Sequence, residues 1–206
     1  FKYSDALFAD LLADTRKKTV ETVPWQAADW QMLWNHQTDT LYRLMLQESD
    51  NFLAEQILLM ASGTLGDTLS SEKAIEFMQE KYFKEFPDKP VWADGSGLSR
   101  YNMFTPATMV QLLKQIYQTA GWEKVKTTLP AGGVSGTIEN WYAAPEPYVF
   151  AKTGTLSNNH CLSGFLVTES GKKLVFSFMH NHYTVPSSEI KHVMEQVLKY
   201  LKTSYK

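Results

Sequence analysis

At 206 residues the chain is long enough for one domain with a sizeable core and too short for a second full one. A hydrophobic share of 44% and a charged share of 20% are ordinary for a globular protein, and a net charge of -2 gives no electrostatic case for nucleic acid or an anionic membrane surface. No apolar run approaches the ~18 residues of a membrane-spanning helix, and the lone Cys161 excludes an internal disulfide.

The chain opens Phe1-Lys2-Tyr3-Ser4-Asp5 without an initiator Met or a signal-peptide pattern, so we expect a processed or partial piece of a longer precursor. Leu7, Phe8, Leu11 and Leu12 have helical spacing over residues 4–16. Residues 19–35, with Pro24 and three tryptophans, read as short strand or irregular connection. Trp25, Trp30 and Trp34 are spaced for packing rather than for a ligand box. A helix is expected from about Thr38 to Gln47, interrupted by Glu48-Ser49-Asp50-Asn51 and restarted by Phe52, Ala54, Ile57, Leu58 and Met60. Ser, Asp and Asn favour caps over helix interiors, so this is a helix joint with polar side chains at the bend.

Ser70 or Ser71 caps a further helix through about Phe83. Asp94-Gly95-Ser96-Gly97-Leu98-Ser99-Arg100 is a turn-rich loop whose glycines suit a structural role. Thr105-Pro106 opens a helix over 107–119, and Ala131-Gly132-Gly133-Val134-Ser135-Gly136-Thr137 is a second glycine-rich loop. Tyr148-Val149-Phe150 starts a strand that runs on into Ala151-Lys152-Thr153-Gly154-Thr155-Leu156-Ser157. Two further runs, 160–168 and 173–181, are joined as a hairpin by 169–172, and a helix over 187–201 closes the chain. Helices, three adjacent strands and a last helix define an α/β domain of the α+β kind, an antiparallel sheet flanked by helices.

The strand carries the most informative chemistry. In extended backbone Lys152 and Gly154 point to one face, and Thr153 and Thr155 to the other. Gly154 has no Cβ, so a ligand can approach the main chain closely. A cation and hydroxyls around an approachable strand suit an extended peptide with a free carboxylate.

Ser49-Asp50-Asn51 and Lys152-Thr153-Gly154, in that order and about a hundred residues apart, resemble the second and third motifs of the penicillin-recognising serine enzymes. The flanks sharpen the likeness: residues 44–55, 94–100, 129–137, 151–156 and Leu162-Ser163-Gly164 are similar to segments of the class C low-molecular-mass penicillin-binding proteins. These are the D-alanyl-D-alanine carboxypeptidases and endopeptidases of the penicillin-binding-protein-4 type, and the resemblance covers nearly the whole chain.

It implies a β-lactamase/transpeptidase-like fold, an extracytoplasmic or periplasmic location and no cofactor. The implied partners are a peptidoglycan stem peptide ending in D-Ala-D-Ala and β-lactams. Ser49 would relay a proton to the leaving nitrogen. Asn51 would bond the substrate amide, and Lys152 would supply positive potential. Thr153 would donate to the terminal carboxylate, and the Thr155 N–H would form half of an oxyanion hole. Substrate would lie along 152–155 as an added strand.

The family's first motif, Ser-x-x-Lys, has no match upstream of Ser49, where the only serine is Ser4. Ser70…Lys73, Ser170…Lys173 and Ser188…Lys191 match nominally but come later. Ser70 reads as a helix cap, Ser170 as a turn residue and Ser188 as the cap of the last helix. We therefore expect residues 1–206 to be the C-terminal portion of the penicillin-binding domain, without the nucleophile segment and the inserted accessory domains. The rivals are a non-catalytic relative that binds cell-wall peptide or a protein partner, and a metal hydrolase using His180 and His182. No metal ligand set is expected, because no third ligand has clear spacing. Cys161 reads as a small core residue.

Overall fold

In a computed structural model that describes residues 4–24 and 37–205, the chain divides into two units, residues 1–35 and 36–206. The first contains helix α1, Asp5–Arg16, started by Ser4, whose hydroxyl accepts the Leu7 N–H at 3.2 Å. Residues 19–24 carry no regular structure. Trp25, Trp30 and Trp34 lie outside the described residues.

The second unit is built on three strands, β1 (Val149–Leu156), β2 (Asn159–Val167) and β3 (Lys173–Asn181), paired antiparallel in the order β1-β2-β3. Because side chains alternate, the sheet is apolar on both faces at its deep end. Val149, Ala151, Leu162 and Leu166 meet Met194 and Leu198 of the closing helix α7, Ser187–Ser204. Phe150, Phe165 and Val175 meet Leu113, Val125 and Leu129 on the other face. These last come from α5 (Pro106–Ala120), α6 (Trp122–Thr128) and the residue that ends α6. Each such fully buried Leu or Phe stabilises the fold by about 1.5–3 kcal/mol. The strands can close up because position 164 is glycine: a Cβ there would lie 2.2 Å from the Phe150 carbonyl oxygen.

Helices α2 (Thr38–Glu48) and α3 (Asn51–Ser62) form the expected joint. Leu58 of α3 packs on Ala74 and Ile75 of α4, Ser71–Tyr82, which Ser70 caps. Leu46 anchors α2 to the β1 side of the core. Gln47 follows, its Nε2 donating to the Leu129 (2.8 Å) and Thr128 (3.3 Å) carbonyls at the end of α6. Those carbonyls have no partner within their own helix, so Gln47 supplies what the helix end lacks. An exposed Lys124–Asp39 ion pair at 2.6 Å links the same two helices and contributes at most about 1 kcal/mol.

Three expectations change. α6 was not foreseen. Ser188 is the second residue of α7 rather than its cap, which is Pro186 and makes no side-chain cap bond. His182, which a metal hydrolase would use together with His180, lies past the end of β3 in left-handed backbone (φ 57°), so the two histidines do not stand on one strand. No helix among the described residues is long and apolar enough to cross a membrane.

Candidate active site

The two motifs meet where the α2–α3 joint faces the exposed end of β1. Ser49 ends α2 in left-handed backbone (φ 56°, ψ 45°), with its N–H bonded to the Met45 carbonyl. That conformation is costly for a residue with a Cβ, by about 1–2 kcal/mol, and glycine or asparagine is usual there. The adjoining Asp50 N–H also bonds the Met45 carbonyl, at 3.0 Å. Asp50 caps α3, its carboxylate accepting the Leu53 N–H at 2.8 Å. The middle residue of the motif is thus structural. It leaves Ser49 half-buried at the bend and Asn51 exposed as the first residue of α3.

From the strand, Lys152 Nζ donates to Ser49 Oγ at 2.7 Å, across 103 residues of sequence, and to the Thr153 carbonyl at 2.8 Å. Burial pushes Lys152 down to about 8, because desolvation disfavours the ammonium. Its ladder partner Ser163 is bonded in turn to Ser177 (Oγ–Oγ 2.8 Å), so hydroxyls line this face beside the lysine. Cys161 stands opposite Gly154, half-buried, with its thiol pushed up chiefly by burial. It is a poor nucleophile.

On the other face Thr153 Oγ1 donates to Thr137 Oγ1 at 2.8 Å. Thr137 lies in a single 3-10 turn, Gly136–Ile138. Thr155 Oγ1 is bonded to His160 Nδ1 at 2.8 Å. A Cβ on Gly154 would meet nothing within 4 Å, so the space over the strand is open.

The outer edge of β1 is half occupied. The Gly132 N–H bonds the Val149 carbonyl (2.9 Å) and the Ala151 N–H bonds the Pro130 carbonyl (3.0 Å). Main-chain groups alternate between edges with period two, so those of Thr153 and Thr155 face the same outer edge as those of Val149 and Ala151. Beyond Ala151 that edge has no further ladder partner among the described residues. An unpaired edge beside a cation and hydroxyls can accept an extended peptide as an added strand.

The Asp94–Arg100 loop packs against α3. The Glu55 carboxylate accepts the Gly95 (3.2 Å) and Ser96 (3.0 Å) N–H groups, and a Cβ on Gly95 would lie 2.7 Å from the Ala54 carbonyl oxygen. Burial acts to raise Asp94, but hydrogen bonds from Asn102, Ser99, Gly97 and Ser96 outweigh it and hold the carboxyl below its ordinary range. This loop is built as structure.

Ser49, Lys152 and the Thr153–Thr155 strand therefore come together, with Asn51 at the same joint. Sequence reasoning missed Thr137 as a partner of Thr153, His160 as a partner of Thr155, and Gln47. The signal for His160 was a two-residue turn, Ser157-Asn158, which sets Thr155 opposite His160. Among the described residues no group of three or more His, Cys, Asp or Glu side chains could hold a metal ion.

The fold is that of the penicillin-recognising serine enzymes. Penicillin binding protein 4 (DacB) from Haemophilus influenzae is similar with a TM-score of 0.69 and 27% identity, over 80% of this chain and 39% of that one. The TLA-3 extended-spectrum beta-lactamase shares the fold at TM-score 0.58 and 16% identity, over 80% of this chain and 62% of that one. Over residues 5–202 the chain matches the D-Ala-D-Ala carboxypeptidase 3 (S13) family, and it belongs to that family. It is 29% identical over 180 residues to the D-alanyl-D-alanine carboxypeptidase DacB of Haemophilus influenzae, 82% of this chain and 37% of that protein. It is 39% identical over 101 residues to the D-alanyl-D-alanine carboxypeptidase of Actinomadura sp., 46% of this chain and 19% of that protein. The chain thus spans well under half the length of these curated relatives.

Proposed function

We propose that these residues form one half of the active site of a serine-type D-Ala-D-Ala carboxypeptidase or endopeptidase. It acts on peptidoglycan stem peptides outside the cytoplasm and is acylated by β-lactams. The observation that carries this reading is the 2.7 Å contact between Lys152 Nζ and Ser49 Oγ. A lysine half-desolvated against a hydroxyl makes a short proton path, and its charge favours a carboxylate nearby.

In this reading Ser49 passes a proton toward the departing amine, with Lys152 holding its oxygen and supplying positive potential. Asn51 bonds the substrate amide. Thr153 turns its hydroxyl from Thr137 to the terminal carboxylate. Gly154 leaves room for the peptide, and the Thr155 N–H stabilises the oxyanion. The open edge of β1 supports binding of the peptide as an added strand. The attacking serine is supplied by a Ser-x-x-Lys segment outside these 206 residues, in keeping with the share of the relatives' length that the chain spans.

The test is covalent labelling by a fluorescent penicillin. The full-length protein becomes labelled on a serine outside residues 1–206, and the isolated chain does not. Labelling at Ser70, Ser170 or Ser188 defeats the assignment of the nucleophile. A full-length protein that binds stem peptide without being labelled establishes the non-catalytic relative instead.

A further inference from the structure

Gly154 brings no side chain to the site strand. It is exposed, and nothing stands within 4 Å of where its Cβ would be. Thr155 follows it and is exposed too, yet its main chain faces the open edge where an oxyanion donor has to be aimed. The side-chain bond that holds Thr155 runs to His160, directly opposite it in the β1–β2 ladder. His160 is only 1% exposed, so the tether runs from an exposed strand end to a buried interior point.

We propose that His160 is a positioning residue: by holding the Thr155 hydroxyl from the opposite strand, it keeps the Thr155 N–H aimed along the open edge of β1. The inference rests on the functional reading above and adds to it a residue that no motif names. A preorganised donor stabilises charge without moving at the moment of reaction, and small errors of aim are expensive.

The surroundings suit that task. His180 of β3 stands opposite His160 on the same sheet face, with its own Nδ1 buried and unpartnered. Burial, and then the charges of Lys191 on α7 and of His180, push His160 down to about 4. The imidazole is therefore neutral at any neutral pH, and its bond to Thr155 does not vary with protonation.

The experiment uses the full-length protein, a tripeptide ending in D-Ala-D-Ala and a fluorescent penicillin. An asparagine amide reaches the place of Nδ1, and a glutamine amide that of Nε2, so H160N keeps the bond and H160Q loses it. H160Q is expected to lower kcat and the penicillin acylation rate about tenfold, with KM within about twofold, while H160N stays within about threefold of wild type. T155V reproduces the loss, and H160Q adds nothing to it. Wild-type rates in H160Q, equal losses in H160N and H160Q, or a loss confined to KM overturns the proposal. Should H160Q fail to fold, T155V decides, and unaltered rates there overturn the proposal equally. A wild-type protein that neither labels nor releases D-alanine overturns the functional reading itself, and the role of His160 with it.

Discussion

The two faces of strand β1 are held in different ways. The Lys152 face makes one long-range contact from β1, to a serine on a helix joint a hundred residues earlier, in backbone that resists a side chain. The threonine face is fastened by two hydroxyl bonds to near neighbours, Thr137 sixteen residues before Thr153 and His160 five residues after Thr155. A buried charge is adjustable and strongly felt, and one long-range contact suffices to place it. Directional donors need fixing at short range.

The largest expected effect comes from removing the first face. In the full-length protein K152M should lower penicillin acylation by about 10²–10³-fold, the scale on which lost electrostatic stabilisation is felt in a closed site. Stopped-flow labelling measures it, and a loss under tenfold would contradict the charge assigned to that face.

G164A tests what the faces share. Its methyl would strike the β1 main chain beside Lys152, and we expect a stability loss of about 3 kcal/mol in urea unfolding. Retained stability would mean that β1 and β2 can separate without consequence for the site.

Next comes the titration of Lys152, followed by NMR of its side-chain carbons. A midpoint near 8 is expected, and S49A should push it lower by removing an acceptor that favours the ammonium. The folded chain releases this proton near 8 and the unfolded chain near the ordinary lysine value of 10.5. Between those limits the unfolded state binds more protons, so this group makes stability rise with pH, and K152M should flatten that rise.

The smallest effect is on the second face. T137V should cost about 0.5–1.5 kcal/mol, the usual net worth of a hydrogen bond, and T153V should add little in the double variant. Additive losses in urea unfolding would show the two hydroxyls to be independent.

The strands, the helix joint and most caps were legible because alternation and cap chemistry are local. Ser70 and Thr105 each cap the helix expected of them. The seven-residue α6 was not legible, since it buries only Val125 within its own length and opens after Gly121, where a break is the natural reading. The approach of Ser49 to Lys152 followed from a family resemblance and from no local pattern. Thr137 and Gln47 act through contacts between elements separated in sequence, and nothing in their own neighbourhoods marks them. His160 was within reach once the turn at Ser157-Asn158, with Asn158 in left-handed backbone (φ 52°), set the register.

Gln47 carries a consequence for how the two faces communicate. Two residues before Ser49, it grips the end of α6, and its side-chain oxygen would lie 2.7 Å from a Cβ placed on Gly136, the neighbour of Thr137. One glutamine thus braces both the serine that meets the charge and the turn that meets the hydroxyl, like a strut shared by two jaws. Any coupling between the two jaws that runs through this strut would, by linkage, be equal in both directions.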